Sequence, residues 1–414
     1  MNTNSVTIDF KRFKQTLESS SDIGKVKDTG LYRLALSDED KKMRDLFKKW
    51  MEADGLNVRI DDAGNMYGRR KGEQDLPPVL IGSHLDTQPF GGRYDGIVGV
   101  LLSLEVIRTL NDNDIKTKRP IEIVNFTNEE GARFKPPMMA SGFLVQQFSQ
   151  DFVYSRIDTD GLRFGDQLER IGYKGSPENR IKDIHSFVEV HIEQGPKLEQ
   201  TGSDIGVVKG IQGMNWFEIT INGHSNHAGS TPMHLRKDAL MAAAEMIHKL
   251  EQKTADQSLL LTIGKFETSP GSVNVIPEQV KFSLDIRSDN DTVRNTFINE
   301  VKTEMKEISR RREAQIDIQD TWTSPTVNFD PALLDIIDYN SKKLGLKSLN
   351  LMSGAGHDAR YISEIAPTAM IFTPSVNGIS HDISEYTTDD DIYNCGNLYL
   401  GVVCELANRD KLTE

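Results

Sequence analysis

Four stretches of this sequence carry side chains whose types and spacing suit metal-assisted hydrolysis. The first is His84-Leu-Asp86, followed by Asp95 within Gly91-Gly-Arg-Tyr-Asp-Gly. A neutral imidazole is a good ligand for a divalent ion, a carboxylate two positions on can orient its second nitrogen, and glycines permit close backbone approach. The second is the pair Glu129-Glu130. Adjacent carboxylates do not easily share one direction, so they suit two roles: one a ligand, the other a base aimed at the attacking water. The third is Val188-Glu-Val-His191-Ile-Glu-Gln194, and the fourth Gly378-Ile-Ser-His381-Asp-Ile-Ser-Glu385. Taken singly, each is more often a polar turn or a solvated acidic pair than a site. Taken together, three histidines and two carboxylates make a mixed N/O donor set that suits Zn²⁺, Mn²⁺ or Co²⁺.

Convergence needs a scaffold. Val79-Leu-Ile, Ile121 to Phe126 and Thr368 to Phe372 read as buried strands, and Ile97 to Leu110 is apolar at helical spacing. Strand, helix, strand in that order is a right-handed βαβ unit with a mostly parallel sheet. His84, Glu129-Glu130 and His381 all follow such strands, and His191 lies on another. Ligands of open parallel sheets bind at that C-terminal edge.

Near residue 212 the pattern changes. Trp216 to Ile221 alternates and is expected to be a sheet edge open to pairing with a second chain, and a helix is predicted from about Arg236 to Lys253. Leu259 to Phe266 and Gln279 to Ile286 read as strands, Asp291 to Arg311 as a charged helix, and Gln315 to Thr323 as a strand again. This order implies a compact α+β domain inserted into an α/β one. The expected boundaries are 1–212 with 329–414 for the first domain, and 213–328 for the insertion. Near the N-terminus, a helix over Lys41 to Ala53 is expected, with a cap at Ser37.

The chain has 414 residues, 37% of them hydrophobic and 27% charged, with a formal net charge of −13. That is globular composition, and its acidity argues against nucleic acid or an anionic membrane as a partner. No apolar run of about 18 residues is present, and Met1 to Phe13 lacks the apolar core of a signal peptide. Two cysteines, Cys395 and Cys404, form no metal or redox motif and read as packing residues of a reduced compartment. A cytoplasmic protein is expected. Ser353-Gly-Ala-Gly lacks both the Gly-x-Ser-x-Gly of a nucleophile elbow and the lysine of a phosphate-binding loop.

The stretches GSHLDTQPFGGRYDGIVGV, NFTNEEGARF, VEVHIEQGPKLE, GHSNHAGSTPM, GSVNVIP, SGAGHDA and GISHDISEYT run from about residue 80 to 386. They resemble the aminoacylase/carboxypeptidase-G family of co-catalytic metallohydrolases. Within it they are most similar to the branch of N-carbamoyl-L-amino acid hydrolases, β-ureidopropionases and allantoate amidohydrolases. The resemblance implies two divalent ions per subunit, bridged by Asp95. His84 and His191 would complete the first site, and Glu130 and His381 the second. It implies Glu129 as general base and Asp86 as the partner that orients His84. In the inserted dimerisation (lid) domain it implies that His227 reaches the reacting carbonyl, in the neighbouring subunit of a homodimer. Asn274 and Arg287 would bind the substrate carboxylate, with Gln194 and the backbone at Gly356 lining the site. The implied substrate is a small ureido acid.

His191 is discriminating, because exopeptidase branches usually place a carboxylate there. Allantoate-cleaving members tend to carry an arginine near the stretch Met214-Asn-Trp216, where this chain has none. The resemblance therefore points to N-carbamoyl-L-amino acids, with allantoate and N-carbamoyl-β-alanine as alternatives. A scaffold protein that had lost catalysis would have no use for Glu129.

Overall fold

A computed structural model describes residues 6–254 and 259–412. Of the polar N-terminal stretch, residues 1–5 therefore lie outside the described residues. The chain divides into two compact units: one up to Gly210 and again from Asn328, the other Ile211–Val327.

In the first unit, four adjacent strands run parallel in the order Thr368–Thr373, Ser186–Ile192, Val79–His84, Ile121–Phe126. Antiparallel strands flank them: Ile205–Ile211 beside Thr368–Thr373, and Met66–Arg70 then Asn57–Ile60 beyond Ile121–Phe126. Every residue of the four parallel strands is buried, as expected of apolar strands covered on both faces. The helix Ile97–Asp112 buries thirteen of its sixteen residues, so its apolar character runs round most of its surface. Together with Asp389–Asn408 it forms the core against the sheet. Both cysteines lie buried in that last helix as free thiols. The helix predicted near the N-terminus spans Asp38–Ala53, and the Ser37 side chain caps it by accepting from the Asp40 amide.

The second unit is an antiparallel sheet with two helices, Ala239–Lys253 and Asp291–Arg311, packed through Phe217, Ile219, Ile221, Val280, Phe282 and their neighbours. The first helix starts at Ala239 rather than Arg236. Asp238 fixes that start, because its carboxylate accepts from the amides of Leu240 and Met241. The segment read as one strand from Leu259 to Phe266 is two short strands, Leu260–Thr262 and Phe266–Ser269, interrupted around Gly264. Among the described residues, no helix is long and apolar enough to cross a membrane.

Candidate metal centre

The parallel order gathers the predicted ligands. His84 closes its strand, His191 is the penultimate residue of the next, and Glu129-Glu130 and His381 follow the ends of the remaining two. Asn128 takes a left-handed φ of 59°, turning the chain as it leaves Phe126. Asp95 arrives from the loop before the helix Ile97–Asp112. It stands between the others, with its two oxygens facing different partners. Oδ1 lies 3.0 Å from His191 Nε2 and 3.7 Å from His84 Nε2, and Oδ2 lies 3.2 Å from His381 Nε2. Glu130 Oε2 is 3.5 Å from His381 Nε2, and Glu129 Oε2 is 3.5 Å from His84 Nε2.

Two potential ligand groups thus share one carboxylate: His84, Asp95 and His191, and Asp95, Glu130 and His381. The ring nitrogens are sorted for this. His84 Nδ1 donates to the Asp86 main-chain carbonyl and His191 Nδ1 to that of Ile192, each at 2.9 Å. Both imidazoles therefore turn Nε2 inward, where that of His191 accepts from the Gly96 amide at 3.2 Å. His84 Nε2 is fully buried and has no hydrogen-bond partner, the orphaned donor atom that a cation would satisfy. Gly96, with φ 67°, allows this approach, since a Cβ there would fall on the His84 ring.

The electrostatics fit a cation as well. Burial pushes the Glu130 carboxyl up to about 8, with Asp95 adding to the effect. Burial first, then Asp358, Glu130 and Asp95, push Glu129 well above the usual carboxylate range. Burial lowers His84 to about 4, which keeps it neutral. Asp95 is pushed up by burial but held well below its ordinary value by the hydrogen bonds of His191 and His381. Those imidazoles rise to about 9: burial pulls His191 down, but its bond to Asp95, the charges of Asp95 and Glu189 and the Ile192 carbonyl together outweigh it, and His381 rises chiefly through its bond to Asp95. A bound ion takes the place of such protons, so affinity for it falls as the pH is lowered.

The carboxylate of Asp86 has a different job from the one expected. It lies 3.9 Å from His84 Nδ1, and the orienting bond goes to its main-chain oxygen instead. The carboxylate accepts from the amides of Glu129 and Glu130, both at 3.3 Å, and so ties the acidic pair to the His84 loop. The buried Arg33 braces that loop by donating to the Leu85 carbonyl at 2.8 Å.

The sequence profile of peptidase family M20/M25/M40 matches residues 80–405. The chain belongs to that family. An N-carbamoyl-L-amino-acid amidohydrolase from Rhizobium meliloti is 42% identical over 359 residues, 86% of each chain. The allantoate amidohydrolase of Escherichia coli (strain K12) is 36% identical over 92% of this chain and 95% of its own length. The crystal structure of an amidase of the hydantoinase/carbamoylase family from Burkholderia multivorans superposes with a TM-score of 0.92 at 40% identity, covering 98% of this chain and 99% of that one. Metal dependence belongs to the M20 family, and the two groups sharing Asp95 give it a place here.

Around the predicted ligands of this M20 chain stand further residues, most of which sequence reasoning gave no role. Gln88 donates to both oxygens of Glu130, from its amide N–H at 3.0 Å and its side chain at 2.8 Å. Ser380 and Glu385 contact the Asp95 segment from the His381 loop. Glu189, His191 and His357 form a further buried group, in which Glu189 accepts from Ser83 at 2.7 Å. Of the residues expected to line the site, Gln194 donates to Asp95 Oδ2 at 2.8 Å. Gly356 lies against Met138, whose amide donates to the Glu129 carbonyl at 2.7 Å.

The other expected residues belong to the second unit. His227 and Asn274 are neighbours there, through an antiparallel bridge from His227 to Val275 and a bond from the Ala228 amide to the Asn274 carbonyl. The Gly229 amide donates to His227 Nδ1 at 3.1 Å, so in the neutral ring the exposed Nε2 carries the proton. Arg287, near the end of the strand Gln279–Ser288, pairs with Asp285 at 2.8 Å.

Proposed function

We propose that this chain hydrolyses the carbamoyl C–N bond of N-carbamoyl-L-amino acids, giving the amino acid, ammonia and carbon dioxide. The observation that carries the reading is Asp95 shared between two ligand groups with Glu129 beside them. The substrate follows the relatives: four that are 33% to 42% identical bear the name N-carbamoyl-L-amino-acid amidohydrolase.

In this reading His84, His191 and Asp95 hold one divalent ion, and Asp95, Glu130 and His381 a second, each Zn²⁺, Mn²⁺ or Co²⁺. When bound, such ions bring the pKa of water to about 7 and polarise the carbonyl, which a ureido group needs because two nitrogens donate into it. Glu129 takes a proton from the attacking water as its oxygen adds to the ureido carbon. It returns that proton to the amino acid nitrogen as the C–N bond breaks, and the carbamate left behind falls apart to ammonia and carbon dioxide. His227 offers its Nε2–H to the developing oxyanion, a contribution worth about 3–4 kcal/mol for one donor. Arg287 and Asn274 grip the substrate carboxylate, and Gln194 and the backbone at Gly356 line the site.

The second unit serves as the lid and pairs two subunits into a homodimer. The strand expected to offer an open edge for that pairing, Trp216 to Ile221, has none. It lies within Gly213–Asn222, which is hydrogen-bonded on one side to Gln279–Ser288 and on the other to Gln315–Ser324. Gln315–Ser324 ends the main path of the sheet on one side, and this reading takes it as the pairing edge.

A substrate panel on metal-reconstituted protein tests the assignment. N-carbamoyl-L-amino acids should exceed allantoate, N-carbamoyl-β-alanine, N-acetyl amino acids and dipeptides in kcat/KM. Allantoate ahead of every carbamoyl amino acid would move the chain to the activity named for its Escherichia coli relative.

Arg287→Lys probes the carboxylate grip. A guanidinium can make two parallel bonds to a carboxylate, which an ammonium cannot reproduce. Losing one charge-assisted bond of about 1.5–3 kcal/mol corresponds to roughly ten- to a hundredfold in kcat/KM. The loss should appear for N-carbamoyl amino acids and be much smaller for the matching amides. Equal proportional losses for acid and amide would make Arg287 a structural residue.

A further inference from the structure

The two ligand loops of the second metal group are joined by one buried side chain. Glu385 is 3% exposed. Its Oε1 accepts from two successive amides, Tyr94 and Asp95, each at 3.1 Å. Its Oε2 accepts from the Ser380 hydroxyl at 2.8 Å, and that hydroxyl lies 3.2 Å from Asp95 Oδ2, the oxygen that faces His381. The contact is close enough to dictate a neighbouring residue, because a Cβ on Gly92 would fall on the Glu385 carboxylate.

His381 needs such support. Its side chain is 50% exposed, whereas the side chains of Asp95 and Glu130 are 6% and 5% exposed. It also sits on an irregular loop with a left-handed φ of 56°. A half-exposed ligand on a loop is held only as well as the loop is. Ser380 precedes His381 directly and Glu385 follows four residues later, so the two contacts bracket it.

We propose that Ser380 and Glu385 act together as a clip that fixes His381 against Asp95 and thereby sets the affinity of the second ion, leaving the first largely untouched. They are positioning residues: neither is needed as a ligand, and the first group shares only Asp95 with the clip, its other two members, His84 and His191, standing on strand ends that neither clip residue bonds. The proposal rests on the reading of Asp95, Glu130 and His381 as ligands.

The test is a Mn²⁺ titration of the full chain after chelation, with the free ion counted by electron paramagnetic resonance. Wild type, Ser380→Ala, Glu385→Gln, Glu385→Ala and His381→Ala are compared, with circular dichroism to verify folding. Wild type should take up two ions. Loss of an outer partner of a metal ligand typically costs about 10- to 100-fold in affinity. That loss is expected at one site only in Ser380→Ala and Glu385→Ala. Glu385→Gln keeps an acceptor for the two amides and should lose less. If Glu385→Ala fails to fold, Ser380→Ala decides, since it removes a single hydroxyl. Unchanged affinity in folded Ser380→Ala, or equal loosening of both sites, overturns the clip provided that His381→Ala loses one ion. If His381→Ala binds both ions like wild type, the ligand reading itself falls, and the clip with it.

Discussion

Glu129→Gln is expected to keep its metal and its fold while losing about 10²–10⁴-fold in kcat, the usual contribution of a general base. Glutamine is nearly isosteric with glutamate but cannot accept the proton of water. The main-chain bonds that place residue 129, from its amide to Asp86 and from Met138 to its carbonyl, do not involve the side chain and survive the change. The side chain is buried among Asp358, Glu130 and Asp95, and a neutral amide relieves that crowding of acids rather than adding to it. Metal content by mass spectrometry and kcat on the same sample separate the two effects. Turnover close to wild type in metal-replete Glu129→Gln would remove Glu129 as the base.

Much of the candidate site was legible because the residues it brings together follow strands whose apolar character is plain. Val79 to Ile81, Ile121 to Phe126 and Thr368 to Phe372 announce buried parallel strands, and parallel strands bring their C-terminal ends to one edge. His84, Glu129-Glu130 and His381 follow from that rule, and His191 from its own strand. What failed to show depends on turns and partners rather than on periodicity. Asp86 looked like the orienter of His84 because it is two residues away. The turn through Leu85 instead presents the Asp86 carbonyl to the ring and swings the Asp86 carboxylate to the amides of Glu129 and Glu130.

Trp216 to Ile221 alternates as an edge strand would, but alternation reports only that one face is buried. Which strands lie alongside is decided by Gln279–Ser288 and Gln315–Ser324, far along the chain. Glu385 was in view within GISHDISEYT, yet a glutamate in a loop carries no spacing that marks it as buried. Its neighbour Gly92 gave no more away, because a second glycine after Gly91 reads as turn chemistry. The start of the helix at Ala239 was readable in hindsight, since Asp238 is a strong capping residue placed directly before it.

The second large effect is metal removal. The candidate ligands converge where Asp95, Glu129, Glu130 and an unpartnered His84 nitrogen lie buried together. Those side chains hold the right donors but contain no electrophile of their own. Without ions the chain can position a ureido acid and offer a base, yet water stays a weak nucleophile and the carbonyl stays unpolarised. The fold should persist, because the strands and helices that carry the ligands are closed by their own apolar core.

The most direct measurement is therefore ammonia release from an N-carbamoyl-L-amino acid by the same protein sample before chelation, after chelation and dialysis, and after adding back Mn²⁺, Co²⁺ or Zn²⁺. The expected result is loss of turnover with an unchanged circular dichroism spectrum, then recovery as two ions per chain are taken up. Full activity in protein verified to be metal-free would contradict the account.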